Sequence, residues 1–220
     1  MKTKIVQFTL VLMLFLTSCK KEKTSQENDE MSSTNTEMDG TKYTVDSKNS
    51  IVNWTGFKPM GKHNGTIKIS EGFVNIKNDS IVAGRFFIDM NTITVTDLKS
   101  GDGKEDLENH LKGLGDKEKK DHFFNVSKYP TSDFKITKVD FKEGKTVIFG
   151  NLTIKGVIKA VNFPAQVSIN ENQVTINSET LRLNRTYWNV NYASKSLFSD
   201  LKDKFINDEI EVQVNVTAKR

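Results

Sequence analysis

Alternation limits what this chain can become more than any other feature. From Tyr43 onward, apolar and polar residues exchange at every second position through "YTVDS" (43–47), "SIVNWTGF" (50–57), "TIKIS" (66–70), "GFVNIK" (72–77) and "SIVAGRFFIDM" (80–90). The rhythm resumes in "TSDFKITKVDF" (131–141), "TVIFGNLTIKG" (146–156), "VNFPAQVSI" (161–169), "QVTINSETLRL" (173–183) and "EIEVQVNVTA" (209–218). A period of two sends successive side chains to opposite faces, so each stretch reads as a strand with one apolar face. The turn signals "KNDS", "KEGK" and "NENQ", with the Pro- and Gly-rich "KPMGKHNG" (58–65), join neighbours directly. Short joints argue an antiparallel meander and not βαβ units. Strands this numerous close into a barrel or fold into a sandwich, so an all-β antiparallel fold is expected.

Two interruptions break the meander. "GKEDLENHLKGLGDKEKKDHFF" (103–124) predicts a helical insertion with Leu107, Leu111 and Leu114 on one side and Gly113 or Gly115 as its C-cap. "SKSLFSDLKDKFIND" (194–208) predicts a second, with Leu197, Phe198, Leu201 and Phe205 on one side. Between the first insertion and the next strand, Phe123 and Phe124 are placed against the barrel rim. Tyr129-Pro130 then leads in extended, because proline disfavours helix in the residue before it.

The N-terminus is read apart from the fold. Residues 1–18 have a basic head, the apolar run "IVQFTLVLMLFL" (5–16) and small residues before Cys19, which describes a secretory signal peptide too short to span a membrane. "LTSC" (16–19) resembles a bacterial lipobox, which implies cleavage before Cys19 and its acylation; an ordinary signal peptide with a chance cysteine is the other reading. Cys19 is the only cysteine, so no disulfide within one chain and no zinc–thiolate site can form. The rest of 19–41 is rich in Lys, Glu, Ser and Asn and lacks aromatic residues, so it reads as a tether. The folded part is 42–220, one domain by length.

The chemistry suggested by the remaining residues is sparse. Net charge is +4, or +2 without Lys2 and Lys4, and the charges are interspersed, which leaves no electrostatic footprint for nucleic acid. His63, His110 and His122 are the only imidazoles and have no metal-ligand spacing. There is no GxSxG and no phosphate-loop arrangement. The chain is read as a protein without catalytic residues, cofactor or metal.

Several segments resemble one family, the YceI-like domains. They are "YTVDSKNSIVNWTG", the His-Leu, Phe-Phe, Tyr-Pro and Phe series of "NHLKGLGDKEKKDHFFNVSKYPTSDFKIT", "GNLTIKGVIKAVNFPAQV", and "NRTYWNVNYAS" (184–194). Together they run in order over about residues 43–217. His122 stands where that family usually has Asp, "GLGDKEKKD" widens one spacing, and Asn151 replaces a commoner Asp. The resemblance implies an all-β, extended antiparallel lipocalin-like barrel of about eight strands with one or two short helical insertions, in the periplasm or envelope, with a polyisoprenoid or other long amphiphile enclosed in some members.

Alternation puts Phe86 with Ile88, Phe134 with Ile136, and Ile148 with Leu152 and Ile154 on inward faces. These residues would line a lipid tunnel or fill a solid core, and periodicity does not separate the two. The resemblance favours the tunnel. Trp54 and Trp188 are candidates to line or plug its mouth, and Arg185 is the candidate cation for a ligand head group. The expected function is non-catalytic binding, storage or transport of a long-chain isoprenoid or fatty amphiphile, in a protein lipid-anchored to a membrane of the bacterial envelope. The alternative is a stress or protein-interaction module whose loops 58–65 and 97–122 recruit a partner. A homodimer is left open.

Overall fold

Each alternating stretch becomes a strand because its apolar face finds the same interior. The computed structural model describes residues 39–220. The expected signal peptide, Cys19 and all but the last three residues of the tether lie outside the described residues. The strands are β1 (Thr41–Val45), β2 (Ile51–Lys58), β3 (Gly61–Lys77), β4 (Ser80–Val95), β5 (Thr131–Lys142), β6 (Lys145–Ile154), β7 (Val157–Ile169), β8 (Gln173–Ser178), β9 (Leu181–Asn184) and β10 (Glu209–Lys219). One α-helix, α1 (Lys104–Lys112), interrupts them between β4 and β5.

All pairings between these strands are antiparallel, and the sheet closes on itself: β10 pairs β2 at one side and β8 at the other. β1 and β2 are two lengths of one stave, since β1 pairs β3 and β10 beyond the point where β2 leaves them. β8 and β9 share a second stave along β10 in the same way. Ten strands therefore make eight staves of a closed barrel, as the resemblance implies, and not a sandwich. Both stave breaks are stitched by a buried serine. Ser50 Oγ donates to the Thr217 carbonyl and accepts from the Thr217 N–H, while Ser178 Oγ accepts from the Val214 N–H at 2.8 Å. The backbone groups left over at the breaks are thereby satisfied.

The ring has two unlike ends. At the closed end, the β3–β4 and β5–β6 turns, Asn78-Asp79 and Glu143-Gly144, have positive φ at both central residues, the hairpin geometry that matches strand twist. At the open end lie the β2–β3 tip, the long β4–β5 connection with α1, the Lys155-Gly156 turn and the β9–β10 connection.

The structure differs from the sequence expectations in several places. "KPMGKHNG" is mostly strand: only Pro59 and Met60 turn, and β3 runs unbroken from Gly61 to Lys77 across register shifts against β4. The expected strand 173–183 divides at Glu179-Thr180. The first insertion is α-helical only over Lys104–Lys112, with a separate 3-10 turn at Lys117–Lys119, and Leu114 points to solvent because the chain turns left-handed at Gly113. The second insertion is not a helix. Only Lys202–Lys204 form a single 3-10 turn, and Leu197 and Phe198 are exposed. Its backbone groups bond elsewhere: Ile206 N–H to the Ala193 carbonyl and Asn207 N–H to the Phe57 carbonyl. The Asp208 carboxylate, accepting from Ser194 Oγ and Ser196 N–H, holds the loop irregular.

Candidate functional site

Towards the closed end the inward side chains interlock. Val74, Val174 and Ala218 are fully buried, and Ile136 leans over Gly84, where even a Cβ would lie 2.8 Å from its Cδ1. Towards the open end the inward faces do not meet, and a cavity of about 290 Å³ remains. Native cores rarely hold voids larger than a water molecule, so a space this size is a built feature.

Its floor is aromatic. Phe86, Phe134 and Phe163 are the deepest lining residues of β4, β5 and β7; Phe86 and Phe134 lie parallel within 4° at 6.5 Å, and Phe163 stands 5.5 Å from Phe134. Gly150 permits this plate, since a Cβ there would sit 2.2 Å from Cζ of Phe134. The walls are aliphatic, with Ile67, Ile88, Met90, Leu152, Val212 and Val214 among them. Polar side chains are few: Ser132 on β5, and Trp54, Lys58, His63, His110 and Arg185 towards the mouth.

The mouth is covered by α1 and the chain after it. Asp106 and Glu105 occupy the first turn of α1 and Lys112 the last, in keeping with the helix dipole. The helix stops in a Schellman motif at Gly113 (φ 73°), with Gly113 N–H bonded to the His110 carbonyl and Leu114 N–H to that of Asn109. Leu107 and Leu111, one turn apart, face the cavity together with Phe123 and Phe124. Glu108 accepts from the Val95 N–H at 2.9 Å and ties α1 to the end of β4.

His110 Nε2 and His122 Nδ1 lie 2.8 Å apart, and both rings pack on Tyr192 from the β9–β10 connection. Burial, with the charge His122 would carry and that of Lys119 adding to it, pushes the His110 pKa below its ordinary value. Lys155 bridges the same elements, donating to the carbonyls of Asp121 and Asn189; burial lowers its pKa, with Asp121 opposing.

Eight of the ten cavity candidates read from the sequence line this space: Trp54, Phe86, Ile88, Phe134, Ile148, Leu152, Ile154 and Arg185. Ile136 does not, because Gly84 beside it leaves room for its side chain to fill its own level solidly. Trp188 does not either. It is buried outside the lining, with Nε1 donating to the Leu152 carbonyl at 3.1 Å.

Arg185 reaches the cavity but is committed to the fold. Its Nε donates to the Asn207 carbonyl, and its two terminal nitrogens to those of Val190 and Ile206. Burial lowers its pKa while Asp208 opposes. Burial also works against ionised Asp208, but hydrogen bonds from Ser194 and Ser196 and the charge of Arg185 outweigh it and hold that carboxyl below the usual range. Arg85 and Arg182 form partly exposed pairs, with Asp133 at 3.1 Å and with Glu211 at 3.3 Å.

His63 pairs with Asp97 at 2.9 Å. Among the described residues no three His, Cys, Asp or Glu side chains converge as a metal site would require. The alternation of β8 and β10 already marked Ile176, Val212, Val214 and Val216 as inward, and Leu107 and Leu111 were visible as an apolar helix side. No periodicity marks Tyr192 or Ile206 as inward, since both reach the cavity from irregular chain, although Tyr192 belongs to the "NRTYWNVNYAS" stretch.

A barrel hollow at one end and lidded by a short helix is now in view. The sequence profile of the YceI-like domain matches residues 43–218, which covers the whole ring and its lid. The chain belongs to the YceI-like domain family. Two solved structures share this YceI-like fold. The crystal structure of Burkholderia cenocepacia BcnA matches at a TM-score of 0.60 and 22% identity, over 79% of this chain and 99% of that one. A polyisoprenoid binding domain from Saccharophagus degradans, implicated in plant cell wall breakdown, matches at 0.55 and 12% identity, over 80% and 97%. A search of curated proteins finds no significant match.

Proposed function

We propose that this YceI-like domain binds and carries a long, slender apolar molecule, an isoprenoid or fatty amphiphile, and does so without chemistry. The observation that carries the reading is the hollow half of the barrel, about 290 Å³ walled almost wholly by aliphatic and aromatic side chains. That volume sits at the lower edge of the roughly 300–1,000 Å³ usual for ligand pockets, which suits a narrow chain better than a bulky ring system. Ten methylenes entering from water would gain about 8 kcal/mol before the cost of association. The polyisoprenoid-binding description of the Saccharophagus degradans domain supports the same ligand class. A barrel used only as a scaffold has no need of a hollow half.

The reading extends to the chain's place in the cell: export by residues 1–18, acylation of Cys19 and tethering to a membrane of the bacterial envelope. Metabolic labelling with a fatty acid tests this, since Cys19→Ala is expected to abolish incorporation.

Residues 39–220 carry the closed ring and its hydrophobic core, a unit of ordinary domain size. Purified from cells and extracted with organic solvent, it is expected to release an apolar long-chain compound identifiable by mass spectrometry. If no such compound is recovered and the protein also takes up no apolar fluorescent probe, the proposed function is wrong.

A further inference from the structure

Six of the eight exposed large apolar side chains among the described residues stand at the open end of the barrel. Met60 caps the β2–β3 tip, Leu114 follows α1, Ile158 follows the β6–β7 turn, and Tyr187, Leu197 and Phe198 lie on the β9–β10 connection. Val82 and Phe141 are the two towards the closed end. The loops that carry the six are bonded to one another. Asn207 N–H donates to the Phe57 carbonyl, Tyr192 N–H to that of His122, and Lys155 to those of Asp121 and Asn189. The exposed residues therefore form a rim round the cavity mouth and are not scattered singly. An apolar patch with a polar border marks an interaction surface.

Charge indicates what covers it. Lys58 and Lys62 flank Met60, Lys159 adjoins Ile158, Lys195 precedes Leu197, and Lys202 and Lys204 follow Phe198; against these six stand Asp116 beyond Leu114 and Asp200 and Asp203 beyond Phe198, so the border is cationic on balance. Apolar side chains bordered by lysines are the composition of a surface that lies in a bilayer interface, with amines at the head groups and apolar tips at the acyl boundary.

We propose that this rim docks the cavity mouth on an anionic phospholipid surface. The inference rests on the cavity being an apolar-ligand site and adds how the ligand reaches it. Each methylene that crosses water is disfavoured about fourfold, so a long chain moves only where cavity and bilayer share a mouth. The described chain begins at the opposite end, where Thr41 pairs Ile76 beside the closed-end turn. An N-terminal anchor alone would thus not direct the mouth to the membrane, and the rim supplies that second contact.

Cosedimentation of residues 39–220 with vesicles of equimolar phosphatidylglycerol and phosphatidylethanolamine tests the proposal, with phosphatidylcholine vesicles as the neutral surface. The expected result is salt-sensitive binding to the anionic vesicles that falls about tenfold or more in a Met60→Ser, Leu197→Ser, Phe198→Ser variant. These side chains are 88%, 54% and 50% exposed, so their loss leaves the core untouched. Val82→Ser with Phe141→Ser, at the other end, is expected to bind as the parent does. Uptake of an apolar fluorescent probe in solution should be equal in all three proteins. The proposal is overturned if the rim variant binds anionic vesicles as well as the parent, or if neutral vesicles bind equally well. It is also overturned if light scattering shows a dimer that the rim substitutions dissolve, since a second copy would then cover the surface. Failure of probe uptake with rim-dependent vesicle binding intact sinks the ligand reading and leaves the docking standing.

Discussion

His110 Nε2 sits 2.8 Å from His122 Nδ1, and that contact joins the lid helix to the turn that follows it. One nitrogen must donate and the other accept, so the contact exists only while at least one of the two rings is neutral. Tyr192 packs on both rings and carries the constraint to the β9–β10 connection. Three elements of the cavity mouth thus meet at one titratable pair.

The first prediction concerns pH. The folded His110 pKa lies below its unfolded value, so as pH falls the unfolded chain takes up the proton first. This contribution to stability is complete above the ordinary value of about 6.5 and is lost as pH drops through the window beneath it. Thermal unfolding of residues 39–220 between about pH 7.5 and 5 should therefore show a steeper fall in Tm for the parent than for His110→Phe. Parallel slopes would remove the pair as the cause.

Gly150→Ala should destabilise the barrel by about 1–3 kcal/mol, because its Cβ would meet the Phe134 ring at the cavity floor. In a Phe134→Leu background the same change should cost less, since the two sites share one space. A double-mutant cycle in urea checks this; an additive pair would mean that the ring does not rest on Gly150.

Arg185→Gln should be among the most damaging single changes. It strips donors from the carbonyls of Val190, Ile206 and Asn207, each worth about 1–3 kcal/mol when left buried and unpaired. Arg185→Lys should recover only part of the loss, because an ammonium lacks the planar fork that reaches all three. Urea midpoints distinguish the cases, and a near-neutral Gln variant would return Arg185 to the role of a ligand contact.

The same substitution at two inward positions should have opposite outcomes. Ile88→Phe grows into the cavity and should leave stability within about 0.5 kcal/mol while reducing uptake of an apolar probe. Ile136→Phe grows into packed side chains and should cost about 1–3 kcal/mol. Chemical denaturation paired with probe titration reads both.

Much of this architecture was legible in the residues. The period-two stretches name the strands, and each inward residue among Phe86, Ile88, Phe134, Ile148, Leu152 and Ile154 follows from alternation alone. The turn signals foretold the tight closed-end hairpins, and Gly113 foretold where α1 stops. The connection 194–208 was misread because its apolar spacing suits a helix, whereas Asp208, Ser194 and Phe57 take its hydrogen bonds into an irregular loop. Trp188 was misplaced for a similar reason: its donor is satisfied by the Leu152 carbonyl, a partner 36 residues away.

By itself, then, the sequence determined which faces turn inward and that neighbouring strands pair antiparallel, because both follow from local period and short joints, whereas closure into one ring rests on β10 pairing both β2 and β8. Whether the interior is hollow was decided only in three dimensions. Ile136 and Phe134 share a strand face two residues apart, yet one packs solid over Gly84 and the other, resting on Gly150, floors a cavity. The difference lies in the summed volume of side chains arriving from other staves at each level of the ring, and distant strands meet at a level only after the barrel has closed.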